Sequence, residues 1–213
     1  MPLALFDLDF TLLDGDCEWL WSQFLAEQGV VGEDFTAQIA RFFQDYEAGT
    51  LDIVSYEAYL LQPLNRLSLE SVIDLRSRYL EGIRILLRPY MLERLAWHRS
   101  EGHTLLLITA ANAFLAEPIS SLLGFPNLIC TGIETENGKP IPRLSGIPAF
   151  REGKVKRLEI WLREQHQTLA ESWGYSDSHN DLPLLERVAH PVAVTPDSVL
   201  RKIAQDLDWE IIE

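Results

Sequence analysis

The chain is poor in cysteine, in positive charge and in long apolar runs, and each shortage removes a class of function. Cys17 and Cys130 are the only thiols in 213 residues, so no disulfide framework is expected, and the pair fits reduced residues in a cytoplasm. Lys and Arg number 18 against 32 Asp and Glu, a formal net charge of -14. With no basic stripe to neutralise phosphates, no nucleic-acid partner is expected. The same balance gives no help in attracting an anion, so any phosphate site needs a local cation. No apolar run approaches the ~18 residues of a membrane span. Asp7 and Asp9 interrupt the apolar start, which has no basic segment before it, so neither a secretion signal nor a membrane partner is expected. Repeats and low-complexity tracts are also lacking.

What remains is an ordinary globular composition, 47% hydrophobic and 23% charged, long enough for one sizeable core plus an insertion. The first apolar run, beginning at Leu3, has the character of a strand buried on both faces. It ends in Asp7 and Asp9. Burying two carboxylates costs several kcal/mol each unless something compensates, and a divalent cation is the natural partner. Taken alone, an Asp-x-Asp pair serves equally well as a turn former.

From Asp14 to about Leu87 apolar residues recur at helical spacing with no strand pattern, which predicts about four helices inserted beside the core. Trp19, Trp21, Phe42 and Phe43 are expected to form the interior of this insertion. After Arg88-Pro89 strands alternate with helices: a helix from Pro89 to Ser100, a strand from His103 to Thr109, a helix from Ala113 to Leu123 and a strand from Asn127 to Thr131. Asn137-Gly138 signals a hairpin turn. A helix from Lys154, a strand ending at Ser176, a helix from Leu182, a strand at His190–Val194, a helix from Ser198 and a last edge strand near Ile211 complete the pattern. Such alternation implies an α/β fold, a doubly wound parallel sheet with right-handed crossovers and a helical cap inserted after the first strand. The expected division is a core of residues 1–14 and 88–213 and a cap of 15–87.

In a sheet of this kind ligands bind beyond the carboxyl ends of the strands. Asp7 and Asp9, Thr109, Lys154, and Asp177 with Asp181 all follow or lead from predicted strand ends. Each alone has an ordinary structural role, as turn former, helix cap or surface residue; their coincidence at one sheet edge points to one site.

The segments Asp7-Leu8-Asp9-Phe10-Thr11-Leu12, Leu107-Ile108-Thr109, Gly153-Lys154 and Ser176-Asp177-Ser178-His179-Asn180-Asp181 resemble, in order, the four motifs of haloacid-dehalogenase-like (HAD) phosphohydrolases. The helical insertion resembles the cap of the branch containing phosphoserine phosphatase. The resemblance implies a Rossmann-like core and a Mg²⁺-dependent phosphatase acting through an aspartyl-phosphate on a small phosphorylated metabolite. Asp7 is then the nucleophile and Asp9 the general acid and base. The implied metal set is Asp7, Asp9 (through its carbonyl) and Asp177, with Asp181 supporting it. Thr109, Lys154, the Ala110 amide and Asn180 are the implied phosphate and positioning groups. His179 is expected beside the metal shell rather than in it, since Mg²⁺ favours oxygen.

Substrate choice is read from fewer residues. Asp16 occupies the position where phosphoserine phosphatases carry an amine-binding glutamate, or it caps a helix. Ala110-Ala111-Asn112 replaces their serine-glycine-glycine, which argues against phosphoserine itself. No arginine among Arg41, Arg66, Arg76, Arg78 and Arg84 is placed by sequence against a carboxylate. Phe150 and Arg151 are candidates to overhang the pocket. The expected substrate is a phosphoserine-like phosphorylated amino acid or amino alcohol, with histidinol phosphate, phosphotransfer to another acceptor, and a receiver-like regulatory phosphoprotein as alternatives.

Overall fold

The computed structural model describes residues 1–213, the side chain of Glu47 excepted. In chain order the elements are β1 (Leu3–Phe6), α1 (Cys17–Glu27), α2 (Glu33–Glu47), α3 (Ile53–Leu61), α4 (Leu69–Ile83), α5 (Pro89–Ser100), β2 (Thr104–Asn112), α6 (Ala113–Leu123), β3 (Asn127–Glu136), β4 (Lys139–Ser145), α7 (Glu152–Glu164), β5 (Trp173–Ser176), α8 (Leu182–Leu185), β6 (His190–Val194), α9 (Ser198–Asp206) and β7 (Glu210–Ile212). They form a seven-stranded sheet in the order β4-β3-β2-β1-β5-β6-β7. Every pairing is parallel except the β3–β4 hairpin, which turns at Asn137-Gly138 with both residues at positive φ.

β1 is central because its four residues are all apolar and fully buried. Alternate side chains leave on opposite faces. Ala4 and Phe6 join Leu105 and Leu107 of β2 in one hydrophobic cluster, and Leu3 and Leu5 join Leu106 and Ile108 in another. Helix α7 covers the second face through Val155 and Leu158. The first cluster continues into the insertion through Trp21, Leu25, Leu60 and Tyr79, so insertion and sheet share apolar packing.

The chain enters and leaves the insertion at one place. Leu13 and Leu87 form an antiparallel bridge, flanked by hydrogen bonds from Asp14 N–H to the Leu86 carbonyl (2.7 Å) and from Arg88 N–H to the Leu12 carbonyl (2.9 Å). The Arg88 guanidinium also meets Asp14 Oδ1 at 2.8 Å. This pairing brings the two ends of the helical insertion together.

From β1 the chain builds outward through β2 and β3, then returns to the other side of β1 with β5. The strand order therefore reverses at β1, and a crevice opens beyond the carboxyl ends of β1 and β5. Asp7 follows directly, its N–H still donating to the Tyr175 carbonyl of β5 at 2.9 Å.

Candidate active site

Three local features aim side chains into that crevice. After β1 the backbone turns sharply at Phe10, whose φ of 52° is unusual for a bulky residue. The β2–β3 register is irregular between Ile108 and Asn112, where Thr109, Ala110 and Ala111 lie; such irregularities re-aim side chains next to active sites. At the start of α7, a Cβ on Gly153 would stand 2.0 Å from the Pro148 carbonyl oxygen. Only glycine lets that turn approach the helix closely enough to set Lys154 on its first turn.

Lys154 is the electrostatic hub. Its Nζ lies 2.7 Å from Asp7 Oδ1 and 2.7 Å from Asp181 Oδ2, and all three side chains are nearly inaccessible to water. Ser176 Oγ donates to the same Asp181 oxygen at 2.8 Å. Burial works against the lysine's charge, but Asp181 and Asp7 more than offset it, and its net shift is upward. Asp7 is raised to about 7, by burial first and by Asp181 next, with Lys154 pulling the other way. Asp177 is raised by burial, then by Asp7 and Asp181. Asp9 is raised by burial, then by Asp16 and Asp7.

One ammonium thus serves several buried carboxylates, and a divalent cation is the charge this donor set lacks. The groups suit Mg²⁺, which takes hard oxygen ligands and commonly binds through one or two carboxylates, with water and phosphate completing the shell. Among the described residues no three His, Cys, Asp or Glu side chains form a ready cage, in keeping with that mode. Asp7 and Asp177 are the side chains that would hold such an ion, with the Asp9 carbonyl. Asp181, occupied by Lys154 and Ser176, holds the lysine in place.

The remaining sequence candidates divide by geometry. Asp9 Oδ1 accepts from Cys17 N–H at 2.7 Å, tying the loop after β1 to the first turn of α1. Thr109 is fully buried, and its Oγ1 accepts from Ala111 N–H at 3.1 Å, which leaves the hydroxyl proton to donate. Thr11 Oγ1 donates to Asp177 Oδ1 at 3.3 Å. Asp16 caps α1, its Oδ1 accepting from the amides of Glu18 and Trp19, and it also borders the cavity described next. Asn180 points toward the cap: its Oδ1 accepts from Arg151 Nε at 2.8 Å and its Nδ2 donates to the Tyr46 carbonyl at 3.4 Å. Arg151 also donates to the Gly49 carbonyl. His179 pairs with Asp197 (2.8 Å).

Between cap and core lies a cleft with about 650 Å³ of empty volume, its open mouth included. Asp7, Asp9, Ala110, Lys154 and Asp177 border one end. Trp19, Phe42, Phe43, Tyr46, Tyr56 and Phe150 line the rest, with Asp16 and Glu18. This corrects the expectation that the cap aromatics are all interior: Trp21 is fully buried, but Trp19, Phe42 and Phe43 face the cleft. Among the described residues, Lys154 is the only basic side chain on its wall, and no cap arginine lines it.

Two acids near this wall escaped the sequence reading. Glu18 of α1 and Glu57 of α3 are buried together, and Asn112 at the end of β2 donates to both, from Nδ2 to Glu57 Oε2 at 2.9 Å and from N and Nδ2 to Glu18 Oε1. Burial raises both acids: Glu57 to about 8, and Glu18 also upward with Glu57 as the next cause. Each carboxyl thus holds a proton more tightly than an exposed glutamate does.

The family model for haloacid dehalogenase-like hydrolases matches residues 4–186. The chain belongs to that family. It is an enzyme, a phosphoric monoester hydrolase of the HAD type. A histidinol-phosphatase of Neisseria meningitidis serogroup C is 38% identical over 217 residues, covering 99% of this chain and 97% of the relative. A Bordetella pertussis Tohama I protein of unknown function superposes with a TM-score of 0.89 at 36% identity, covering 100% and 98% of the two chains. A phosphoserine phosphatase solved as a phospho-aspartyl intermediate analogue gives a TM-score of 0.71 over 99% of this chain and 92% of that one; at 15% identity the likeness is one of fold. The HAD core and its cap are thus the architecture expected from the four motifs. No helix is long and apolar enough to cross a membrane.

Proposed function

We propose that this HAD hydrolase is a Mg²⁺-dependent phosphomonoesterase that forms an aspartyl-phosphate on Asp7 and acts on a small phosphorylated amine without a carboxylate, histidinol phosphate being the best fit. One observation carries the substrate reading: among the described residues Lys154 is the sole basic group on the cleft wall, and it sits at the phosphate end with Asp7 and Asp181. A phosphorylated amino acid would bring a carboxylate to a wall of aromatic rings, Asp16 and Glu18, where nothing cationic meets it. An amine is welcome there, both as an ion partner and over aromatic faces. The full-length relative named a histidinol-phosphatase supports the same choice over the phosphoserine-like substrate expected from sequence. A cytoplasmic site of action is part of the proposal.

The chemistry follows from the side chains. Lys154 orients the Asp7 carboxylate through Oδ1, and the carboxylate attacks phosphorus as the bond to the substrate oxygen breaks. Asp9, its Oδ1 fixed by the Cys17 amide, gives its proton to the departing alcohol. In the second half water attacks phosphorus, Asp9 takes the water's proton, and the bond to Asp7 breaks to release inorganic phosphate. Thr109 and the Ala110 amide donate to phosphate oxygens. Bound Mg²⁺ would supply the positive charge that lets an anionic nucleophile approach an anionic ester. The aromatic cap wall excludes water from the first half-reaction.

The test is a panel of phosphate esters assayed with Mg²⁺. Histidinol phosphate should exceed phosphoserine in kcat/KM by at least an order of magnitude. Equal or better hydrolysis of phosphoserine would overturn the substrate reading.

A further inference from the structure

Glu18 has no part in the phosphoryl chemistry, yet it lies on the cleft wall and is almost entirely buried. All its hydrogen bonds go to Oε1, from the Asn112 amide and side chain. Its Oε2 is left for the cleft. Glu57 stands behind it, fully buried, with Oε2 bonded to Asn112 and Oε1 without a hydrogen-bond partner. A buried carboxyl oxygen without a donor is costly, and a pair of carboxyls costs more. Asn112 supplies donors to one oxygen of each but no positive charge.

The surroundings add an independent pointer. Trp19 and Tyr56 border the cleft close to Glu18 in sequence and to Glu57 respectively, and Phe42 stacks edge-on against Tyr56 at 5.6 Å between ring centroids. A carboxyl that shares a cleft wall with aromatic rings is a setting that recognises an ammonium or imidazolium group. Asp16, the other acid on this wall, already has one oxygen committed to two amides of α1.

We propose that Glu18, backed by Glu57 and held by Asn112, is the specificity-determining subsite that receives the cationic end of the substrate. The assignment rests on the phosphorylated-amine reading above and names where that amine is recognised. Glu18 touches the ligand; Glu57 and Asn112 are positioning residues that act through it. The three come from α1, α3 and the end of β2, so a bound cation also bridges cap and core and favours the closed arrangement.

The experiment compares histidinol phosphate with 3-phenylpropyl phosphate, an uncharged ester of similar bulk, in the full-length Mg²⁺-loaded enzyme and in Glu18→Gln. The substitution keeps an oxygen for Asn112 but turns an amide toward the cleft. The kcat/KM ratio of cationic to neutral ester should fall at least tenfold, chiefly through KM of the cationic ester. A second measurement needs no substitution: in the wild type histidinol should inhibit competitively at concentrations at least tenfold lower than 3-phenylpropanol. If the wild type prefers the cationic ester and Glu18→Gln keeps that preference, the subsite assignment is wrong and the function stands. If the wild type shows no such preference, the substrate reading fails and takes the subsite with it. Lower stability in Glu18→Gln with an unchanged ratio would mark a structural latch and would also overturn the assignment. Should Glu18→Gln not fold, equal inhibition of the wild type by the two alcohols overturns it.

Discussion

Lys154 and Asp7 are joined by a 2.7 Å contact at the end of the central strand, with less than a tenth of either side chain open to solvent. In the proposed mechanism the pair couples folding to catalysis, because the same ammonium that makes the Asp7 carboxylate tolerable in the core would also orient it toward phosphorus. Removing either member therefore has a different signature.

Lys154→Met leaves Asp7 and Asp181 buried without their cation. Breaking a buried pair in this way costs about 3–5 kcal/mol, and the phosphate end loses its positive charge. The variant should unfold at markedly lower urea concentration and lose most of its kcat/KM. Addition of Mg²⁺ should recover part of the stability, since a divalent ion relieves the same repulsion; urea titrations with and without the ion measure both effects.

Asp7→Asn removes the nucleophile and one member of the buried pair while keeping the shape. Hydrolysis of p-nitrophenyl phosphate should fall by about 10³-fold or more, as for other covalent catalysts stripped of the attacking group. Circular dichroism should remain that of the wild type. Wild-type turnover in this variant would remove Asp7 from the mechanism.

Arg151 ties core to cap, through the Gly49 carbonyl and through Asn180, which itself reaches the Tyr46 carbonyl. Arg151→Ala should loosen the segment 46–50 and raise KM several-fold, because a cap that closes less well holds substrate less well. Hydrogen exchange of the amides in that segment should rise in the variant. Unchanged exchange and unchanged KM would mean the tie does not govern closure.

Glu57 provides a pH test. Its folded-state pKa is raised by burial to about 8 from an ordinary value of 4.5, with Asp16 adding repulsion and Asn112 and Glu18 pulling it back. The native state binds the proton more tightly than the unfolded chain, so this contribution is complete below about pH 4.5 and is lost as pH rises through about 8. Glu57→Gln cannot ionise. Its melting temperature relative to wild type should therefore improve by a few degrees between pH 5 and pH 9. A difference that stays flat with pH would show that the pair holds no extra proton.

Much of this was legible from sequence for physical reasons. A sheet covered on both faces demands unbroken apolar strands, and Leu3–Phe6 and Leu105–Ile108 comply, so β1 and β2 stand where the pattern puts them. The cluster of acids was legible because Asp7, Asp177 and Asp181 follow strand ends, where polar residues are conspicuous. The strand β4 and the extension of β2 to Asn112 were less so, since Lys139–Ser145 mixes proline and charge and the β2 extension follows an irregular register. Glu18 and Glu57 were missed because an acid in a helix usually faces water; only the packing of α1 and α3 onto the end of β2 buries them together. Trp19, Phe42 and Phe43 were assigned to the cap interior for a related cause, since helical spacing does not tell a core face from a cleft face.

The central claim is that phosphate passes through Asp7. Substrate labelled with ³²P at phosphorus, mixed with enzyme and Mg²⁺ and quenched with acid within the first turnovers, tests it directly. The label should appear on the peptide containing Asp7 and be released by hydroxylamine, as an acyl phosphate requires. Release of labelled phosphate at full rate with no label on the chain, or with label on another residue, would contradict the account.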